Sequence, residues 1–487
     1  MRLLSGNSGN SFLLAAVKGF TTVSGILSTM IMSHALSLEL YGTYSQTALI
    51  VTTATNVTAL GLVDAVNFFY NRSTKEVEQK KYVNTIIGIQ TTIGLLSGIL
   101  IVVCSDLLAD YFQNSSLLRF IPLIAFRPLF ANLNVSLQYL QVSIGRAKSV
   151  AVRNAGFATL RLIVYAFTAW VLKDISVILI VFLLFEMLIT FYFMYTFSKE
   201  RFKINLTQID CSKIKEILIY SLPMGIYVMT NSLCRDIDKV LIGGWYSTDQ
   251  YAIYANCATL LPFDIVSSAF LVILSPILTR YFGKKDYEHG RLLFKNYLKI
   301  GYYTAFTFTI ACMILSKEMI LFLYGDKYLS GQTIFILYTI VDMIKFANLS
   351  IVLSACGKTP SLMVCSLTSL CANAGLNVVF NDIFGITGSA IATVVVTVAL
   401  SGVMAHLSAK SLQTTVLKLI DVKEFLIFAL ELCIAGVACN ILKAALELTG
   451  LNAILILILV GGIFIVGILL VNRKNILSAV FEINGLR

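Results

Sequence analysis

A few charged side chains interrupt long apolar runs, and their chemistry calls for an account. In the first half of the chain they are Lys18, Asp64, Arg127, Arg161 and Glu186; in the second, Arg235, Asp236, Asp238, Lys239, Asp264, Asp342 and Lys345. An ionised group at the centre of a membrane-embedded helix costs about 2.5–3.5 kcal/mol on insertion scales, so it must pair or face a wet cavity. At about 100° per residue, Arg235, Asp238 and Lys239 share one helix face. There, i,i+3 and i,i+4 contacts would neutralise them, or the three would line a polar wall. Asp342 and Lys345 are spaced for the same pairing. Lys18 and Arg161 have no partner nearby in sequence, and two such cations suit an anionic ligand. Asp64 and Arg127 lie near the ends of their runs, where a side chain can reach the interface. Glu186 and Asp342 are candidate ion-coupling carboxylates, with a packing role as the alternative.

The elements that position these residues follow from composition. The 487 residues are 57% hydrophobic and 13% charged, with a mean hydropathy of +0.84. Soluble domains are roughly 45–50% apolar and about 25% charged. A spanning helix takes about 20 apolar residues, and fourteen such runs can be read: 12–36, 43–70, 83–105, 117–141, 151–172, 175–197, 217–246, 251–278, 294–315, 331–355, 360–381, 386–407, 425–446 and 451–471. Twelve is the alternative if the final pair does not span. The expected fold is an all-α integral membrane protein.

Basic residues set the expected orientation. Loops after even-numbered runs carry Arg72, Lys75, Lys80 and Lys81; Arg146, Lys148 and Arg153; Lys199, Arg201 and Lys203; Arg280, Lys284 and Lys285; and Lys410, Lys418 and Lys423, while Arg2, Arg473, Lys474 and Arg487 lie in the tails. The opposite loops hold Lys173, Lys317 and Lys327 beside Glu39, Asp106, Asp110, Asp174 and Asp249. Both termini are therefore expected in the cytoplasm. The net charge of +11 is scattered over many short loops, which suits anionic lipid headgroups and gives no reason to expect nucleic acid.

Two short repeats share a register. Ser37, Glu39, Tyr41 and Tyr44 match Ser247, Asp249, Tyr251 and Tyr254, and Gly145-Arg146 with Ser149 match Gly357-Lys358 with Ser361. An even number of runs per repeat makes the copies parallel, related by an axis along the membrane normal. The expected organisation is a six-helix bundle over 1–210, a second over 211–412, and two further helices with a tail over 413–487.

Catalytic chemistry finds little support. Gly357-Lys358-Thr359 lacks the first glycine of a phosphate-binding loop, since Val352 stands in its place. Three histidines are scattered, and ten cysteines form no CxxC pair, so neither a catalytic dyad nor a metal site is expected, nor any cofactor. Transport energy would come from an ion gradient such as protons or sodium, from the substrate gradient or from a partner. The aromatics Tyr302, Tyr303 and Phe306 are read as lipid-facing or interfacial.

Four segments carry a family resemblance: Leu38-Glu39-Leu40-Tyr41-Gly42-Thr43-Tyr44; Asp238-Lys239 through Gly243 into Tyr251 and Tyr254; Tyr324-Gly325-Asp326-Lys327-Tyr328; and Gly385-Ile386-Thr387-Gly388 with Ala392. In this order among fourteen runs, the chain resembles Wzx-type polysaccharide flippases of the multidrug/oligosaccharidyl-lipid/polysaccharide exporter superfamily over essentially its full length. The resemblance implies a bacterial inner-membrane protein that moves an undecaprenyl-pyrophosphate-linked oligosaccharide to the periplasmic leaflet for O-antigen, capsule or exopolysaccharide synthesis. Lys18, Arg161, Arg235 and Lys239 would then meet the headgroup, Asp238 would orient them, and the pathway's polymerase and glycosyltransferases are candidate partners. An ion-coupled multidrug antiporter and a lipid II flippase stay open as alternatives, with a membrane polymerase or acyltransferase as the enzyme reading.

Overall fold

The computed structural model describes residues 7–263 and 265–485, and those residues are helical with no strand. Asp264 and the terminal Arg2 and Arg487 lie outside the described residues. Two compact units emerge, Met1–Ala252 and Ile253–Arg487. Among the described residues, nine helices are long and apolar enough to cross a membrane, or eleven if two bent pairs count as one span each.

Unit 1 contains α1 (Asn7–Ala35), α2 (Leu38–Ala59), α3 (Leu62–Arg72), α4 (Glu76–Val103), α5 (Ser105–Tyr111), α6 (Leu117–Ile124), α7 (Arg127–Ser143), α8 (Ala147–Phe167), α9 (Ile175–Glu200) and α10 (Cys211–Trp245). A π-helical turn, Thr168–Leu172, extends α8, and α11 (Thr248–Cys257) straddles the boundary between the units. Ser37 starts α2 by accepting from the Leu40 amide, which satisfies one of the free donors of a helix N-terminus. The apolar run 43–70 is split at Leu60 (φ 44°) and Gly61 (φ 69°), both left-handed, and α2 and α3 meet at 40°. A Cβ at Gly61 would lie 2.1 Å from the Ser221 carbonyl oxygen and 2.8 Å from the Gly225 nitrogen. Glycine is thus needed there twice, for its backbone angles and for the close approach of α10.

Helix α7 is the strut of this unit. Leu129, Leu133, Leu137 and Leu140 bury one side of it among α3, α4 and α9 residues. Its polar residues bind the neighbours as well. Asn132 donates to the Thr55 carbonyl at 3.1 Å and to Thr58 Oγ1 at 3.0 Å, and Ser136 donates to Gln90 Oε1 at 2.8 Å. Asn134 reaches the Glu186 carbonyl at 3.1 Å, and Gln141 reaches the Phe193 carbonyl at 3.1 Å and Thr196 at 2.9 Å. Between helices in lipid, where apolar side chains gain little by leaving the bilayer, such bonds and tight packing supply the association.

The linker into α10 is fastened to α4. The Asn205 amide donates to Asn84 Oδ1 at 3.1 Å, and the Asp210 amide to Thr85 Oγ1 at 2.9 Å. Asp210 caps α10, and bonds from Ser212 and then the Lys81 ammonium hold its carboxyl below the ordinary 3.8. These ties continue along α10. Phe68 stacks on Tyr220 at 4.2 Å, Tyr111 donates to the Val240 carbonyl at 3.1 Å, and Gln113 to the Gly244 carbonyl at 3.0 Å. The seventh run therefore packs with the first six, and the packing boundary falls after Ala252, well past the expected repeat boundary at 210.

Unit 2 contains α12 (Ile265–Gly283), α13 (Tyr287–Ile314), α14 (Ser316–Leu323), α15 (Gln332–Ile344), α16 (Ser350–Ala355), α17 (Thr359–Phe384), α18 (Ile386–Ser411), α19 (Val416–Leu419), α20 (Val422–Leu448), α21 (Ala453–Val471) and α22 (Arg473–Gly485). Run 251–278 is interrupted between α11 and α12, and run 331–355 between α15 and α16. Helices α13 and α14 turn through 87°. There Lys443 of α20 donates to the Ile314 carbonyl at 3.0 Å and pairs with Glu318 at 2.8 Å. A cation at a helix C-terminus satisfies a free carbonyl and complements the helix dipole. Tyr302 and Tyr303 correct an expectation: they are not lipid-facing, each being about 1% exposed in a cluster with Phe428 and Val460. Tyr303 donates to Glu424 Oε1 at 2.8 Å.

Gly61→Ala is expected to lower the melting temperature and the yield of folded protein sharply. Gly375→Ala, where a Cβ meets nothing within 4 Å, should be neutral or stabilising by up to about 1 kcal/mol. Thermal unfolding of both variants in the same detergent checks this.

Candidate functional site

Helices α1 and α8 lie side by side, joined where Ser24 Oγ donates to the Ala158 carbonyl at 3.0 Å. Between them is a cavity of about 380 Å³ lined by Val17, Lys18, Thr21 and Ser24 from α1 and by Asn154, Phe157, Ala158 and Arg161 from α8. Small and hydroxylated residues on the α1 side leave this space, because a run such as Thr21, Thr22 and Ser24 fills little volume. Thr21 and its neighbour Thr22 turn their hydroxyls back onto the Lys18 carbonyl at 2.8 and 3.0 Å, so the Thr21 hydroxyl of the wall is satisfied within the helix.

The two cations that lack a partner nearby in sequence meet at this cavity. Lys18 is exposed, and Arg161 is half-buried. Neither makes an ion pair among the described residues. Arg161 Nε is fully shielded and has no hydrogen-bond partner there, while its guanidinium carbon stands 5.5 Å from the centre of the Tyr165 ring. An orphaned guanidinium N–H away from water is a costly arrangement that an anion with several oxygens would relieve. Tyr165 is itself hydrogen-bonded to Tyr44, so α2 holds the ring against which Arg161 rests.

Several other charged side chains of the unit are paired or hydrogen-bonded. Arg127 grips Glu186 through Nε at 3.2 Å and Nη2 at 2.8 Å, with side chains 16% and 14% exposed. Lys239 pairs with Asp236 at 3.5 Å. Asp238 is about 1% exposed and accepts from the Lys239 amide at 2.8 Å, and Arg235 donates to Ser232 at 3.1 Å. Arg235, Asp238 and Lys239 thus share α10 and are not among the lining of the α1–α8 cavity. In unit 2, Asp342 Oδ2 accepts from the Leu261 amide at 2.8 Å and so covers a donor freed by the interruption before α12.

Asn154 of the cavity lining and its neighbour Arg153, which does not line it, were not singled out as candidates by the sequence. Arg153, expected in a loop, lies in the second turn of α8, bonds its neighbour Asn154 and stacks 4.9 Å over the Phe193 ring. Asn154 also reaches Gln138 of α7 at 3.4 Å, tying the cavity wall to the strut. A signal was present, because Arg153 and Arg161 stand eight residues apart on one run of helix-forming sequence. Among the described residues, no group of three His, Cys, Asp or Glu side chains is placed to hold a metal.

Residues 31–332 match the model of a family described as "Polysaccharide biosynthesis protein". The chain belongs to that family. No curated protein matches its sequence. Its fold is shared with transporters of the multidrug/oligosaccharidyl-lipid/polysaccharide exporter superfamily. The lipid II flippase MurJ, solved in an inward closed conformation, aligns with a TM-score of 0.72 at 16% identity, over 96% of this chain and 100% of that one. An outward-facing multidrug resistance MATE transporter aligns at 0.55 and 12% identity, over 85% and 97%. A transporter of the same superfamily from Pyrococcus furiosus, described by the reverse polarity of its binding pocket, gives 0.54 and 12% over the same shares. The family member described here is thus a multispan membrane protein with a transporter fold.

Removing one partner of the Arg127–Glu186 pair leaves a shielded charge, which typically costs about 3–5 kcal/mol. Glu186→Gln and Arg127→Met should each lower thermal stability strongly. The double variant Arg127→Met/Glu186→Leu should recover most of the loss, as read from melting curves of the four proteins.

Proposed function

We propose that this protein flips an undecaprenyl-pyrophosphate-linked oligosaccharide across a bacterial inner membrane, from the cytoplasmic to the periplasmic leaflet, for surface polysaccharide synthesis. The observation that carries the reading is the α1–α8 cavity with Lys18 and Arg161 both free of counter-ions, in a member of a polysaccharide biosynthesis family with a transporter fold. A pyrophosphate and its sugars cannot enter hydrocarbon unaided. The protein must supply a cationic, wet route while the lipid tail stays in the bilayer.

In this reading Lys18 and Arg161 receive the pyrophosphate. Arg161 presents fixed N–H donors to its oxygens, and Lys18, on a longer and freer stem, follows the charge as the two bundles rock. The hydroxyls of Thr21 and Ser24, whose protons go to the Lys18 and Ala158 carbonyls, keep lone pairs that would accept from sugar hydroxyls, and Asn154 lines the same cavity. Arg235, Lys239 and Asp238 form a second polar station on α10, charge-balanced by Asp236, which the headgroup meets later in the passage. Glu186 and Asp342 are engaged by Arg127 and by a backbone amide, so a coupling ion, proton or sodium, would have to displace an existing bond at either. Both termini lie in the cytoplasm, where polymerase and glycosyltransferases of the pathway would have access to the basic loops.

Each charged hydrogen bond to the pyrophosphate is worth about 1.5–3 kcal/mol, or roughly ten- to a hundred-fold in affinity. Lys18→Ala and Arg161→Ala are expected to abolish surface polymer in a deletion host while the variant protein remains folded at normal abundance. A complete lipid-linked unit should then accumulate with its sugar still on the cytoplasmic side. Normal surface polymer with both variants overturns the assignment. Sensitivity of the deletion host to cationic drugs, with polymer intact, would instead favour the antiporter.

A further inference from the structure

We propose that α19 and α22 form an amphipathic collar that docks unit 2 onto anionic phospholipid headgroups, apart from the transport route and whatever the cargo. The span α21 ends at Val471, and α22 starts at Arg473 after a single residue. Asn475 of α22 donates to Tyr303 Oη at 3.1 Å, and Tyr303 and Lys299 both bind Glu424 in the first turn of α20. The start of α22 is therefore level with the ends of two spans, which is the depth of the headgroup region.

One face of α22 is committed to protein. Ala479 and Ile483 are buried with Leu293, Phe294 and Tyr297 of α13, with Leu419 of α19 and with Leu412 just before it. The other face is not. Leu477 and Phe481, one helical turn apart, are 51% and 71% exposed, and on α19 Leu417 is 74% exposed.

Cations border these apolar groups. Lys418 follows Leu417, Lys423 follows the exposed Val422, and Arg473 and Lys474 precede Leu477. None of the four forms an ion pair among the described residues. The nearby acids are already engaged: Asp421 by Lys295 at 3.6 Å, Glu424 by Lys299 at 2.6 Å and Glu482 by Asn296 at 2.7 Å. What remains is an apolar ridge with unbalanced positive charge at headgroup depth. Such a surface inserts its apolar side chains at the acyl boundary and attracts anionic lipid.

The test uses the full chain carrying Phe481→Trp in a Trp170→Phe/Trp245→Phe background, reconstituted in vesicles, with Leu477→Trp as a second reporter. The lipid is either phosphatidylglycerol or phosphatidylcholine, brominated near the top of the acyl chain. Bromolipid should quench the tryptophan, with phosphatidylglycerol the stronger quencher, and aqueous iodide should have little effect. Changing Lys418, Lys423, Arg473 and Lys474 together to Gln should equalise the two lipids. Quenching by iodide alone would overturn the proposal by placing the face in water. Protection from both quenchers would overturn it in favour of a protein cover, either a partner or a second copy. Equal quenching by both lipids in the unneutralised protein would overturn the preference for anionic headgroups.

Discussion

A charge placed in hydrocarbon must be paired or kept wet, and the arrangement of this protein follows from that constraint. Arg127 has Glu186, Lys443 has Glu318 and Lys239 has Asp236. Against that background Lys18 and Arg161 stand out, since each is a cation in a helix of the bundle, each lacks a counter-ion among the described residues, and both face one cavity. The paired charges fix the helices, and in the proposed reading Lys18 and Arg161 are left for an anionic headgroup.

Backbone groups obey the same rule. Helix interruptions inside a membrane bundle free N–H and C=O groups, and protein must satisfy them where water is scarce. Asp342 covers an amide at the interruption before α12, and Lys443 covers a carbonyl at the turn into α14. At the break between α2 and α3 the solution is steric, with Gly61 and Gly225 letting two backbones touch. Asp342 and Lys443 thus each satisfy a backbone group at a helix interruption. Arg161 has no such employment.

The fold class was legible because apolar length and composition report directly on the bilayer. Lys18 and Arg161 stood out because the sequence offers neither an acid within one turn. The neutralised charges were harder to read, since local spacing reveals only i,i+3 and i,i+4 pairs. Arg127 and Glu186 lie 59 residues apart, and Glu318 and Lys443 are more distant still, so only tertiary packing joins them. Helix breaks were hidden by apolar runs that continue through them, as at Leu60-Gly61. Tyr302 and Tyr303 read as interfacial because tyrosine is amphipathic, yet α20 covers them and supplies Glu424 for the Tyr303 hydroxyl. Repeat matches suggested a duplication with a boundary near 210, whereas the packing of α10 with unit 1 depends on contacts of Tyr111, Gln113 and the linker that no repeat encodes.

The central claim is that the α1–α8 cavity holds an anionic lipid-linked headgroup. Its most direct test is photocrosslinking from a benzoylphenylalanine at Phe157, in membranes supplied with radiolabelled undecaprenyl-pyrophosphate-linked oligosaccharide. The account predicts a labelled adduct that unlabelled substrate competes away and that Arg161→Ala eliminates, with the exposed Lys410→Ala as a comparison away from the proposed route. An adduct that persists unchanged in Arg161→Ala, or none in a protein that still exports polymer, would contradict it.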